Sequence, residues 1–188
     1  MTSEVWFLII IGLVIFNFLF SNILDYLNHK NWKDEIPIEL ENFYDKEKYE
    51  KAKLYAISKS KAGLLSSIAS FLFVISLLVF NGYGFLDQLV YSDNFNLFEP
   101  FDMNSSFAKS GVFFLILFIL SSIISIPFSF YNTFVIEEKF GFNKTTKSTF
   151  FIDIIKSSIL SILIGGFLLF IALYLYDNLK DGFWLWLW

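Results

Sequence analysis

Cysteine and arginine are absent from this chain, histidine occurs once and proline three times. Without cysteine there is no disulfide framework, no thiolate metal site and no thiol nucleophile. A hydrolytic zinc ion takes several ligands from His, Cys or carboxylate side chains. His29 cannot begin such a site alone and reads as an ordinary loop residue. No Ser-His-Asp set, no H-E-x-x-H and no glycine-rich phosphate loop is present. No catalytic residue and no metal ligand is therefore assigned within the chain. A net charge of −4 leaves no broad basic surface for nucleic acid. Met1–Glu4 carries acid and no base, which excludes the basic start of a secretory signal.

What is present is apolar. Hydrophobic residues make up 56% of the chain and aromatic ones 21%. Four uncharged runs stand out, at 5–24, 62–80, 110–130 and 157–176. Each approaches the roughly 20 residues that cross about 30 Å of hydrocarbon as a helix. A chain in lipid must satisfy its own backbone hydrogen bonds, and the alternating pattern of a membrane β-barrel is missing, so the runs predict helices. The tail 183–188, FWLWLW, reads as the truncated start of a fifth helix and suggests a piece of a longer protein. The expected fold is an all-α, polytopic integral membrane protein with four transmembrane helices plus that start, and the bilayer is its first partner.

Lysine supplies all fourteen basic residues. With the abundance of Phe, Ile and Asn, this points to an AT-rich coding genome and a bacterial source. Eight lysines fall between residues 30 and 61, and Lys139, Lys144, Lys147 and Lys156 follow the third run, whereas the intervening loops hold only Lys109 and Lys180. Basic residues stay on the cytoplasmic side. The alternation places the N-terminus outside and the 25–61 loop inside, in a bacterial inner membrane, or in the endoplasmic reticulum membrane of a eukaryote. Residues 40–61 form an expected juxtamembrane helix leading into the second span.

Small polar residues recur on the spans. Ser121, Ser125 and Ser129 lie four apart, as do Ser157, Ser161 and Gly165, while Gly63, Ser67 and Ser70 mark the second span. Such stripes share a helix face. They serve either close helix packing or the lining of a hydrated chamber, for which Ser121, Ser125, Ser157 and Ser161 are the candidates. Pro127 is expected to kink the third span. Asn17, Ser21, Asn22 and Asp25 give the first span a polar inner end.

After the third run comes TFVIEEKFGFNKTT, residues 133–146. By itself it reads as a helix end closed at Gly141, with Asn143 or Thr145 capping the next helix and Glu137 and Glu138 solvated. The run also resembles a signature of the CAAX prenyl protease 1 family, the type I CAAX or a-factor-converting zinc metalloproteases. Tyr55–Lys61 resembles that family's lead into its second span, and Asp153 and Lys156 match further positions. Glu137, Glu138, Lys139, Gly141 and Asn143 are the motif residues. The resemblance implies a seven-span chamber enzyme whose zinc is held by an H-E-x-x-H and a later Glu, all beyond residue 188. It implies a metalloendopeptidase (a hydrolase) that cleaves prenylated CAAX or other membrane-associated proteins. This chain would supply the N-terminal transmembrane domain, with the catalytic half as its missing partner. The alternatives are a non-enzymatic four-span scaffold or a transporter subunit, the latter disfavoured by spans without ionisable residues.

Overall fold

The computed structural model describes residues 2–30, 36, 45–92 and 106–179, among which there is no strand. The helices are α1 (Ser3–Lys30), α2 (Lys46–Val79), α3 (Gly82–Tyr91), α4 (Ser106–Tyr131), the single turn α5 (Glu138–Phe140) and α6 (Lys147–Leu179). A π-helical turn, Asn132–Glu137, joins α4 to α5. Four stretches are long and apolar enough to cross a membrane: Ser3–Lys30, Lys46–Val79, Ala108–Phe140 and Lys147–Tyr176. Large apolar side chains stand open on all four, among them Leu8 (67% exposed), Leu65 (60%), Ile123 (63%) and Leu163 (65%). Surfaces of that kind need lipid or further protein to cover them. The expected tail helix at 183–188 lies outside the described residues.

The helices outrun the apolar runs. α2 begins sixteen residues before Ala62, about 24 Å of helix at the usual rise. It starts where Asp45 accepts a hydrogen bond from Lys48 N at 2.8 Å, an N-cap that satisfies one otherwise orphaned donor. At its other end Asn81 takes φ 53°, a left-handed turn that Asn tolerates. Gly82 follows because a Cβ there would sit 2.6 Å from Leu77 Cδ2 and 3.0 Å from Leu77 Cα. α3 was not anticipated by the sequence: it lies between the second and third apolar runs, and its Leu86 and Val90, one turn apart, are buried at 8% and 2% exposure.

The chain divides into two compact units. In the first, Met1–Tyr83 with Ser121–Asn143, α1 packs on α2. Asn22 Nδ2 donates to Ser67 Oγ at 3.0 Å, and Phe18 stacks on Phe71 with centroids 4.3 Å apart. As the number falls from 22 to 18 its partner rises from 67 to 71, so the two helices are antiparallel. In the second unit, Gly84–Leu120 with Lys144–Trp188, Lys109 Nζ lies 5.2 Å from the centre of the Tyr91 ring. There α4 and α6 border an open apolar groove of about 430 Å³ lined by Gly111, Phe114, Phe118, Ser161 and Gly165.

Candidate functional site

α2 carries Lys51, Tyr55, Lys59, Ala62 and Ser66 at spacings of three and four, hence on one face. The signature segment after α4 lies against that face. The Tyr55 ring meets the edge of Phe140 at 5.4 Å and of Phe142 at 4.9 Å, with interplanar angles of 69° and 66°. Edge-to-face pairs of this kind are favoured by the ring quadrupoles. Lys59 Nζ lies 3.2 Å from Glu137 Oε1 and 5.5 Å from the Tyr55 ring centre, and Lys51 Nζ is 5.7 Å from the Phe142 ring. Ala62, Ile136 and Phe140 are buried together, with Tyr55 packed against them.

The π turn explains how this face is reached. Its wider winding takes up one extra residue, which rotates everything after it by roughly 100° relative to a continuous α-helix. Without that residue Ile136 and Glu137 would be swung off the α2 face. Pro127 sits inside α4, which stays helical through it to Tyr131; the irregular winding begins beyond, at Asn132.

Glu137 is the node of the segment. Its carboxylate holds Lys59, while its carbonyl accepts Phe142 N at 2.8 Å and Asn143 N at 3.3 Å. Gly141 N donates to Glu138 O at 3.0 Å, and Gly141 takes φ 78°, the left-handed conformation that closes helix ends. The helix therefore ends at Gly141. Glu138 accepts from Asn143 Nδ2 at 2.8 Å, and Lys139 Nζ lies 5.6 Å from the Phe140 ring. Two readings of the isolated segment change. Glu137 is not simply solvated, since α2 supplies its cation. The cap of α6 is neither Asn143 nor Thr145 but Thr146, whose Oγ1 accepts Thr149 N at 3.1 Å.

Beside the ion pair opens a notch of about 220 Å³ lined by Lys59, Ala62, Ser66, Phe128, Ser129 and Asn132. Asn132 Oδ1 is sealed from solvent and accepts no hydrogen bond. His29, on the last turn of α1 rather than in a loop, likewise has a sealed Nδ1 without a partner.

Ser121, Ser125, Ser157 and Ser161 are all exposed. Ser125 Oγ donates to Ser122 O at 3.2 Å and Ser157 Oγ to Ile154 O at 3.0 Å, so these two hydroxyls are satisfied within their own helices. Asp153 and Lys156 stand exposed on α6.

Chemically, the braced turn offers a fixed cation, a fixed carboxylate and an orphan amide, held on rigid helices. It offers no nucleophile with an adjacent base. Among the described residues no three or more His, Cys, Asp or Glu side chains are placed to hold a metal ion. With one His and no Cys in the sequence, the donor set does not fit a hydrolytic zinc.

Fold and site together define a polytopic helical membrane domain whose third span is locked to its second by a π turn and an ion pair. Residues 25–188 match the family described as CAAX prenyl protease N-terminal, five membrane helices. CAAX prenyl protease 1 of Saccharomyces cerevisiae is 33% identical over 183 residues, covering 95% of this chain and 40% of the yeast protein. The CAAX prenyl protease 1 homolog of Homo sapiens is 36% identical over 126 residues, 67% of this chain and 26% of the human protein. The crystal structure of S. mikatae Ste24p superposes with a TM-score of 0.79 at 30% identity, over 97% of this chain and 42% of that one. This chain belongs to the CAAX prenyl protease 1 family and corresponds to its N-terminal membrane domain. It spans less than half the length of these relatives.

Proposed function

We propose that these residues are the N-terminal membrane wall and bracket of a zinc metalloendopeptidase, which hydrolyses peptide bonds in prenylated CAAX or other membrane-associated proteins. The observation that supports it is the Lys59–Glu137 brace. It falls on the two stretches that resemble the family signature, which lie 78 residues apart in sequence and make direct contact. Zinc supplies a polarised water in such enzymes, and here its ligands belong to a parent's residues beyond this chain. What this chain does is positional. α2 and the segment after α4 project past the apolar runs on the lysine-rich, cytoplasmic side, with the N-terminus outside. Tyr55, Phe140 and Phe142 stiffen that projection, and the ion pair fixes its twist. A catalytic region seated on it is held at a set height above the bilayer. The exposed serines of α4 and α6 border the chamber in this reading.

The test compares residues 1–188 with the longest protein encoded around them. Zinc content and cleavage of a farnesylated CAAX peptide are measured for both. The reading expects zinc and cleavage in the longer protein and neither in the shorter chain. Tight one-to-one zinc in the shorter chain, or a longer protein lacking both properties, refutes it.

A further inference from the structure

The notch beside the Lys59–Glu137 pair is polar at the level where the apolar runs end. About 220 Å³ in volume, it is lined by Lys59, Gly63, Ser66, Phe128, Ser129 and Asn132. Lys59 stands three residues before the second apolar run and Ser66 four residues into it, while Ser129 and Asn132 flank Phe130, the last residue of the third. At the usual helical rise the notch extends about 5 Å to either side of the lysine-rich edge of the hydrocarbon. That is the level of lipid glycerol backbones and headgroup phosphates, not of acyl-chain ends.

The chemistry of the lining favours an anionic group. The Ser66 and Ser129 hydroxyls and both ends of the Asn132 carboxamide bond to no other described residue. Asn132 Oδ1 is sealed without a donor, which leaves Nδ2 as the end of the amide open to a ligand. A carboxamide without partners at this depth is costly. The Lys59 ammonium donates to Glu137 Oε1 at 3.2 Å and, with three N–H groups, has at least one to spare. Four donor-bearing groups thus line one small space, and phosphate oxygens are strong acceptors for them. The Glu137 carboxylate offsets the Lys59 charge, so a headgroup without net charge suits the notch better than one with surplus negative charge. A Cβ built on Gly63 meets nothing within 4 Å, so the space beside the donors is open.

We infer that this notch is a binding site for a zwitterionic phospholipid, whose phosphodiester accepts hydrogen bonds from Lys59, Ser66, Ser129 and Asn132. Gly63 and Phe128 border its glycerol backbone. A lipid seated there bridges the second and third spans next to the Lys59–Glu137 brace. The inference goes beyond the proteolytic reading and does not rest on it.

The test is native mass spectrometry of the purified longest encoded protein in detergent, following the first lipid bound. Dioleoyl phosphatidylethanolamine is compared with dioleoylglycerol, which has the same chains and no phosphate. The phospholipid is expected to bind at least about tenfold more tightly, the worth of one hydrogen bond to a charged group. Ser66→Ala combined with Ser129→Ala leaves the brace intact and should weaken phospholipid binding about tenfold or more. Gly63→Leu fills the space while keeping every donor and should weaken it similarly. Ser125→Ala, whose hydroxyl is already bonded to Ser122 O, should change nothing. Equal binding of the two lipids, or phospholipid binding unchanged by both the double serine variant and Gly63→Leu, overturns the inference. So does inorganic phosphate that binds with the sensitivity expected of the lipid while phospholipid binding is the same in every variant, because the notch is then a site for free phosphate.

Discussion

Replacing Gly141 by alanine separates backbone strain from crowding. Gly141 has φ 78° and ψ 22°, and a Cβ built on it meets nothing within 4 Å. The space is free, so the cost is that of holding an L-residue in the left-handed region, about 1 kcal/mol. Asparagine, which tolerates that region, costs roughly half as much. Valine, branched at Cβ, costs more than alanine. The bonds at stake are Gly141 N to Glu138 O and the two amides that converge on Glu137 O. A loss of about 1 kcal/mol raises the open population of this cap about fivefold. The assay is amide exchange at Phe142 and Asn143 in nanodiscs, in the regime where exchange reports opening equilibria. The account expects protection in the order Gly, Asn, Ala, Val. Equal protection for Gly and Ala would refute it, because it would mean that the left-handed cap is not maintained.

The Lys59–Glu137 pair is partly exposed, at 38% and 28% of its side chains, so a double-mutant cycle of Lys59→Met and Glu137→Gln should give a coupling of only about 0.5–1 kcal/mol; zero coupling in thermal unfolding would remove the pair as a brace. The Asp45 carboxyl is held below its ordinary value by the Lys48 backbone N–H first and the Lys48 ammonium second. A lowered folded value means that its contribution is complete above the unfolded value near 3.9 and fades as pH falls through the folded one. A spin label at position 47 should therefore gain mobility as pH falls below about 4 in the parent but not in Asp45→Asn, and pH-independent mobility in both would contradict the cap. Single cysteines at Asn42, Asn94, Lys144 and Asn178 test orientation: an impermeant reagent applied to intact cells should label positions 94 and 178 only, and labelling at 42 or 144 inverts the topology.

Much of the fold was legible because lipid leaves a chain few choices. Runs such as Val5–Leu24 and Ser157–Tyr176 had to be helices once they were long and uncharged. Their true lengths were less visible. The first turns of α2, rich in Lys and Glu, were expected as a helix over 40–61 running into the second span, and the Asp45 cap sets where α2 starts, at Lys46. α3 was missed because it lies between two apolar runs. In the signature segment Gly141 announced the helix end, because few residues but glycine accept φ 78°. The two candidate caps, Asn143 and Thr145, both missed Thr146, because the first turn of α6 could not be placed to the residue from the sequence. The ion pair was out of reach for a different reason. Lys59 and Glu137 were each noticed within family-like stretches, but their contact depends on the extra residue in the π turn, and local periodicity carries no sign of it. Serine stripes were ambiguous in principle, since a hydroxyl can bond back to its own helix, as Ser125 and Ser157 do.

The central claim is that this membrane domain serves a zinc peptidase. It is tested most directly by incubating the purified longest encoded protein with a farnesylated CAAX peptide and identifying the products by mass spectrometry. The account predicts release of the terminal tripeptide, abolished by a zinc chelator and restored by zinc, and no release by residues 1–188 alone. An intact peptide in every condition, with the longer protein folded and membrane-embedded, would contradict it.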